Sequence, residues 1–260
     1  MVSGLLPDVL PDFGEAVWHA TELSSAAGAT LATGHAALDA QLPGAGWPVG
    51  AICEILQTHG EHNEWRLLLP VLRGAANLAP APGAAVLVGA PHVPFGPGLA
   101  AQGFDARRLL RVLATAPGER LWVTEQALRC AGVLAVLAWL PQARAEQLRR
   151  LQMAAQAHSK LLFVMRPAQM QSESSPAVLR LLASTQPDSD TLLLHILKRR
   201  GPPLDQPLLL PARPARLAAL LAMHHGRADL AEPRPVARRA CSTGFAQGVD
   251  DALGRTASAA

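Results

Sequence analysis

The sequence predicts an α/β fold: a mostly parallel β-sheet covered by helices on both faces, with flexible arms at either end. Three observations predict it. Near-continuous apolar runs of strand length recur along the chain, stretches with apolar residues at helical spacing lie between them, and Gly and Pro punctuate the junctions. A strand that is apolar at every position has to be buried on both sides, and a parallel sheet sandwiched by helices provides that.

Taken in order, Met1 to Leu31 is rich in Pro, Ser and Ala, with one short amphipathic piece around Val17 to Leu23, and is expected to be an arm that docks rather than a domain. Gly34, Gly44, Gly46, Pro48 and Gly50 predict a turn, a short helix and a glycine-rich approach to a strand at Ala51 to Leu56. Leu67, Leu68, Val71, Leu72 and Ala75 recur at helical spacing and predict a helix over Glu64 to Leu78. Further strands are expected at Ala84 to Val88, Val133 to Ala138, Lys160 to Met165 and Thr191 to Leu197, with helices near Glu119 to Cys130 and Ala143 to Ala157. Arg107, Arg108 and Arg111 are expected on the solvated face of one more helix after Asp105. Pro202, Pro203, Pro207, Pro211 and Pro214 then break regular structure, before a short helix near Arg216 to Met223 and a tail expected to be largely disordered. The domain reading is an arm over 1–31, a core over 32–210 and a Pro- and Arg-rich tail over 211–260. No repeat is visible, which excludes a solenoid or propeller.

Composition narrows the function classes. Half of the 260 residues are hydrophobic, enough for one large core, and a net charge of +3 permits nucleic acid as a partner without requiring it. Cys53, Cys130 and Cys241 are odd in number and far apart, so neither a disulfide framework nor a CxxC zinc site is expected, and the compartment reads as reducing cytoplasm. Asp8, Asp12 and Glu15 interrupt the start of the chain, unlike a secretion signal. The longest apolar run, Val133 to Leu140, falls far short of the ~20 residues of a membrane span. His59 and His62 on one loop, and the adjacent His224 and His225, form no tight ligand pattern, so no metal site is expected. Trp47, Trp65, Trp122 and Trp139 sit among apolar residues and are expected in the core rather than as base-stacking platforms.

One segment carries more than composition. TGHAALDAQLPGAGWPVGAICEIL, Thr33 to Leu56, resembles the run that leads into the first core strand and phosphate loop of RecA-family recombinases. EQALRCAG, Glu125 to Gly132, resembles the helix before their magnesium-binding strand. QGFDARRLLRV (Gln102 to Val112), LRRLQMAA (Leu148 to Ala155), SPAVLRLL (Ser175 to Leu182) and ILKRRG (Ile196 to Gly201) are similar to the RecA-related ImuA proteins that accompany translesion synthesis. The resemblance covers roughly residues 30 to 201. It implies a RecA-like core and, as partners, the Y-family-like polymerase homologue ImuB and an error-prone replicative-type DNA polymerase, with RecA or DNA as further candidates. The same proteins are often grouped with SulA-type SOS cell-division inhibitors, which makes an inhibitor of the tubulin-like division protein the alternative. An active RecA-like ATPase is a third reading.

ATP chemistry needs side chains that this chain lacks at the matching positions. A phosphate cradle requires convergent N–H groups, a lysine and a hydroxyl for magnesium. The loop after Leu56 instead places Asn63 near the lysine position and Glu64 near the hydroxyl position, beyond Gly60. Two carboxylates, Glu61 and Glu64, are expected to face the triphosphate. Like charges ~4 Å apart cost about 4 kcal/mol at an effective dielectric of ~20, which disfavours nucleotide binding itself. Pro91 and His92 replace the acid expected after the second core strand, the strand to Leu140 ends without a carboxylate, and Met165, Arg166 and Pro167 replace a polar sensing pair. The expectation is therefore a degenerate ATPase with no catalytic residues, metal or cofactor. Candidate DNA or partner contacts are Lys198, Arg199 and Arg200 at a strand end near a sheet edge, and Arg234, Arg238 and Arg239 in the tail.

Overall fold

The computed structural model describes residues 28–78, 83–186, 191–204 and 206–211. Most of the arm and tail, including the amphipathic piece at Val17 to Leu23, the expected helix near Arg216 to Met223 and the arginines 234, 238 and 239, lie outside the described residues.

The first elements among the described residues are a two-stranded ribbon, β1 (Thr30–Leu31) antiparallel to β2 (Trp47–Pro48), which encloses the short helix α1 (Ala36–Asp39). Glycine is required here for space. A Cβ on Gly46 would lie 2.3 Å from the Leu31 carbonyl oxygen, and one on Gly34, at φ +82°, would lie 2.4 Å from the Pro70 side chain. The glycine pattern thus sets the approach of the ribbon to the sheet and to the next helix.

There follow β3 (Ala51–Gln57), α2 (Glu64–Leu78), β4 (Ala84–Val88), α3 (Gly96–Ala101), β5 (Leu109–Val112), α4 (Pro117–Arg129), β6 (Val133–Trp139), α5 (Ala145–Ala157), β7 (Leu161–Pro167), β8 (Leu179–Thr185), β9 (Thr191–Lys198) and β10 (Leu208–Pro211). Strands β3 to β10 form one eight-stranded sheet in the order β10-β9-β8-β3-β7-β6-β4-β5. All neighbours from β8 to β5 pair parallel, and β9 runs antiparallel to both β8 and β10. The α/β reading with a mostly parallel sheet holds.

Alternation along each strand divides the core into two layers. Cys53 and Ile55 of β3, Leu87 of β4, Leu137 of β6 and Phe163 of β7 pack with Leu67, Leu68, Val71 and Leu72 of α2 and with Trp47. Ile52, Val86, Val88, Val136, Ala138, Leu162 and Val164 face the other way, against Leu128 of α4 and Leu148 and Leu151 of α5. Both sheet faces are covered, which explains why the central strands carry almost no polar residue.

Several expectations need correction. Arg107 and Arg108 lie in a 3-10 turn (Ala106–Arg108) and Arg111 lies on β5, so no helix follows Asp105. Arg108 and Arg111 donate to the carbonyls of Ala76 and Ala90 instead of forming a solvated face. Trp122 is 62% exposed and is not a core residue. β10 pairs outside only the first half of β9, Thr191 to Leu194, so Lys198 at the end of β9 lies past that pairing and has β8 alone beside it. Among the described residues no helix is long and apolar enough to cross a membrane.

Candidate functional site

Strands β3, β4, β5, β6 and β7 run parallel, so their carboxyl ends share one edge of the sheet, the edge where open α/β folds place ligands. A cleft of about 620 Å³ opens there. Residues 57–62 after β3, 89–92 after β4, 111 and 113–115 around the end of β5, 139 and 141 after β6, and 165–167 ending β7 line it, with Arg120 of α4. Gly60, His92, Met165 and Arg166, four of the residues singled out in the sequence, meet in this one space. Asn63 and Glu64 sit beneath it, 2% and 4% exposed.

The loop between β3 and α2 is closed by the protein's own side chains. Gln57 accepts from the Asn63 backbone N–H at 3.1 Å and donates to a Glu64 carboxylate oxygen at 3.2 Å. Glu61 accepts the backbone N–H groups of Thr185 at 2.7 Å and Thr58 at 3.3 Å, while the Thr185 hydroxyl donates to the Asn63 side-chain oxygen at 2.9 Å. Two of the loop's own amides, those of Thr58 and Asn63, are therefore already engaged by protein side chains. This differs from two carboxylates facing a triphosphate: Glu64 is turned inward and Glu61 is tied to the end of β8. The Thr58 and Asn63 amides are thus occupied and both acidic groups stay within the loop.

Across the cleft the cationic side chains are also engaged. Arg111 donates to the Ala90 carbonyl at 3.1 Å, and Arg120 donates to those of Ala114 and Trp139 at 2.9 and 3.2 Å. His62 and His92, thirty residues apart, approach with Nε2 atoms 2.9 Å apart, an arrangement sequence spacing could not reveal. Among the described residues no group of three or more His, Cys, Asp or Glu side chains could hold a metal.

Arg166 forms the floor of the cleft and belongs to a buried charge network. Glu54, in the middle of β3 and wholly buried, accepts from Arg166 at 3.2 Å and from Arg180 of β8 at 2.6 Å. Arg180 further donates to the carbonyls of Met170, Gln171 and Glu173, and Arg166 to the Ala143 carbonyl and the Glu173 carboxylate. The network fastens the segment after β7 over the face of β3 and β8. A lone carboxylate inside an otherwise apolar strand was the available sequence signal, since a buried charge requires a partner.

Of the basic run, Lys198 donates to the Ser175 carbonyl at 2.9 Å. Arg199 donates to the carbonyls of Pro202 and Gln41 and to the Gln41 side chain. Arg200 is exposed. Lys198 and Arg199 thus help to fasten their surroundings, with charge left at the surface. Comparison of the sequence with protein-family models and with curated proteins finds no match.

Proposed function

We propose that this chain is a RecA-like accessory protein of SOS-induced translesion synthesis, similar to ImuA, that acts in the cytoplasm by binding and not by ATP chemistry. One observation carries the reading. The four segments that the resemblance assigns to ATP handling lie far apart in sequence, yet they converge on one cleft at the carboxyl edge of one sheet. Any parallel α/β sheet gathers the segments after its strands at this edge, so the convergence supports the reading through the resemblance that assigned these segments to ATP handling.

At each convergent segment the side chain that ATP chemistry needs is replaced, and the loop amides at Thr58 and Asn63 are satisfied internally. The scaffold then has binding surfaces as its means of action. Its partners on this reading are ImuB and an error-prone replicative-type polymerase, with RecA or DNA meeting the basic residues at Lys198 to Arg200 or in the tail.

Co-purification with ImuB, using the full chain and a chain lacking residues 211–260, tests the proposal. The full chain is expected to retain ImuB, and retention by the truncated chain places the interface on the core. Failure of the full chain to retain ImuB, together with filamentation of cells that overproduce it, would move the assignment to a division inhibitor.

A further inference from the structure

We propose that His62 and His92 form a binding site for a borderline divalent transition-metal ion, of the Ni²⁺ or Cu²⁺ class, at the mouth of the cleft. The inference rests on side-chain geometry alone and does not depend on the functional reading above.

The two rings are perpendicular, with an interplanar angle of 89°, centroids 4.3 Å apart and Nε2 atoms 2.9 Å apart. A head-on N–H···N bond of that length would hold the centroids about 5 Å apart, since each nitrogen sits about 1.1 Å from its ring centre. The rings therefore lean together. Two imidazole nitrogens about 2.1 Å from a shared ion and subtending about 90° stand about 3.0 Å apart, with centroids about 4.5 Å apart. Both observed separations match that arrangement. A tetrahedral angle would need nitrogens about 3.4 Å apart, so the pair suits a tetragonal or octahedral ion better than tetrahedral zinc.

Three further features fit. The Nδ1 of His62 lies 3.8 Å from the buried Glu64 carboxylate, a negative charge beside the ring that favours a cation held at its other nitrogen. Both side chains are exposed, so an ion reaches them from solvent, and the cleft leaves the remaining coordination positions to water or a bound group. Nitrogen ligands also select against Mg²⁺, which prefers oxygen. The ion held here would thus differ in kind from the one an ATPase requires.

The test is isothermal titration of the untagged full chain with NiCl₂, with MgCl₂ as the control. The parent carries His224→Ala and His225→Ala, which removes the adjacent pair in the tail. Saturable one-to-one Ni²⁺ binding is expected, weakened about tenfold or more by His62→Ala or by His92→Gln and abolished by the double variant, with no response to Mg²⁺. Circular dichroism of each variant should match the parent, because both side chains are at the surface. Absent Ni²⁺ binding, or an affinity unchanged in the double variant, would overturn the proposal.

Discussion

Replacing Glu54 by Gln keeps the shape of the side chain and removes its charge. At 3.2 and 2.6 Å, and an effective dielectric of about 20, its attractions to Arg166 and Arg180 are each worth about 5–6 kcal/mol before desolvation is counted. Part of the loss is offset. Arg180 retains three backbone carbonyls, and Arg166 retains the Ala143 carbonyl and the half-exposed Glu173 carboxylate. Both guanidinium groups nevertheless remain buried, at 3% and 6% exposure, with their central counter-charge gone. Removing one partner from such a buried cluster costs about 3–5 kcal/mol, a large share of the roughly 5–15 kcal/mol that holds a domain folded. With a urea dependence of about 2 kcal/mol/M, the midpoint followed by circular dichroism should fall by about 2 M. Glu173→Gln, at the exposed end of the network, should cost under about 1 kcal/mol. A Glu54→Gln midpoint within about 0.5 M of the parent would refute the reasoning, because the two arginines would then need no buried carboxylate.

Three other outcomes are expected. Gly46→Ala drives a methyl group to 2.3 Å from the Leu31 carbonyl oxygen and should cost about 2 kcal/mol in urea unfolding, whereas Gly118→Ala, with nothing within 4 Å, should be near neutral; equal costs would contradict the close ribbon packing. Burial pushes the Cys53 thiol pKa far up, so mass spectrometry after mild alkylation of native protein should find exposed Cys130 labelled and Cys53 unlabelled, and modification of Cys53 would mean that β3 opens readily. Burial holds the His35 pKa below its usual 6.5, outweighing the nearby backbone of Leu67 and Arg66 and the charge of Asp39, which act to raise it. The unfolded chain therefore takes the proton first, so this contribution to stability is complete above about pH 6.5 and is lost as pH falls below it. His35→Gln should flatten that part of the profile, and identical profiles for parent and variant would remove His35 from the account.

The sheet was legible where burial made the sequence uniform. Strands β3, β4, β6, β7 and β9 and helices α2, α4 and α5 show either unbroken apolar runs or helical spacing, and their observed bounds lie within two residues of the expectation. Strand β5 was not legible, because LLRV is short and follows two arginines, which made 107–111 resemble a solvated helix. Strand β8 was seen only as part of a family resemblance, since Arg180 interrupts its apolar run and is compensated by Glu54, 126 residues away. The same distance effect concealed the site. Gln57, Thr185 and Glu61 close the loop through contacts up to 124 residues apart, and His62 meets His92 only once β3 and β4 lie in one sheet.

The most direct test of the central claim, that the cleft does not hold a nucleotide for hydrolysis, is calorimetric titration of the purified full chain with ATP and Mg²⁺. No saturable heat is expected, because the amides of Thr58 and Asn63 are already bonded and Glu61 and Glu64 keep acidic groups in the loop. Saturable ATP binding that disappears when Gly60, Asn63 or Glu64 is replaced would contradict the claim and restore a working nucleotide site.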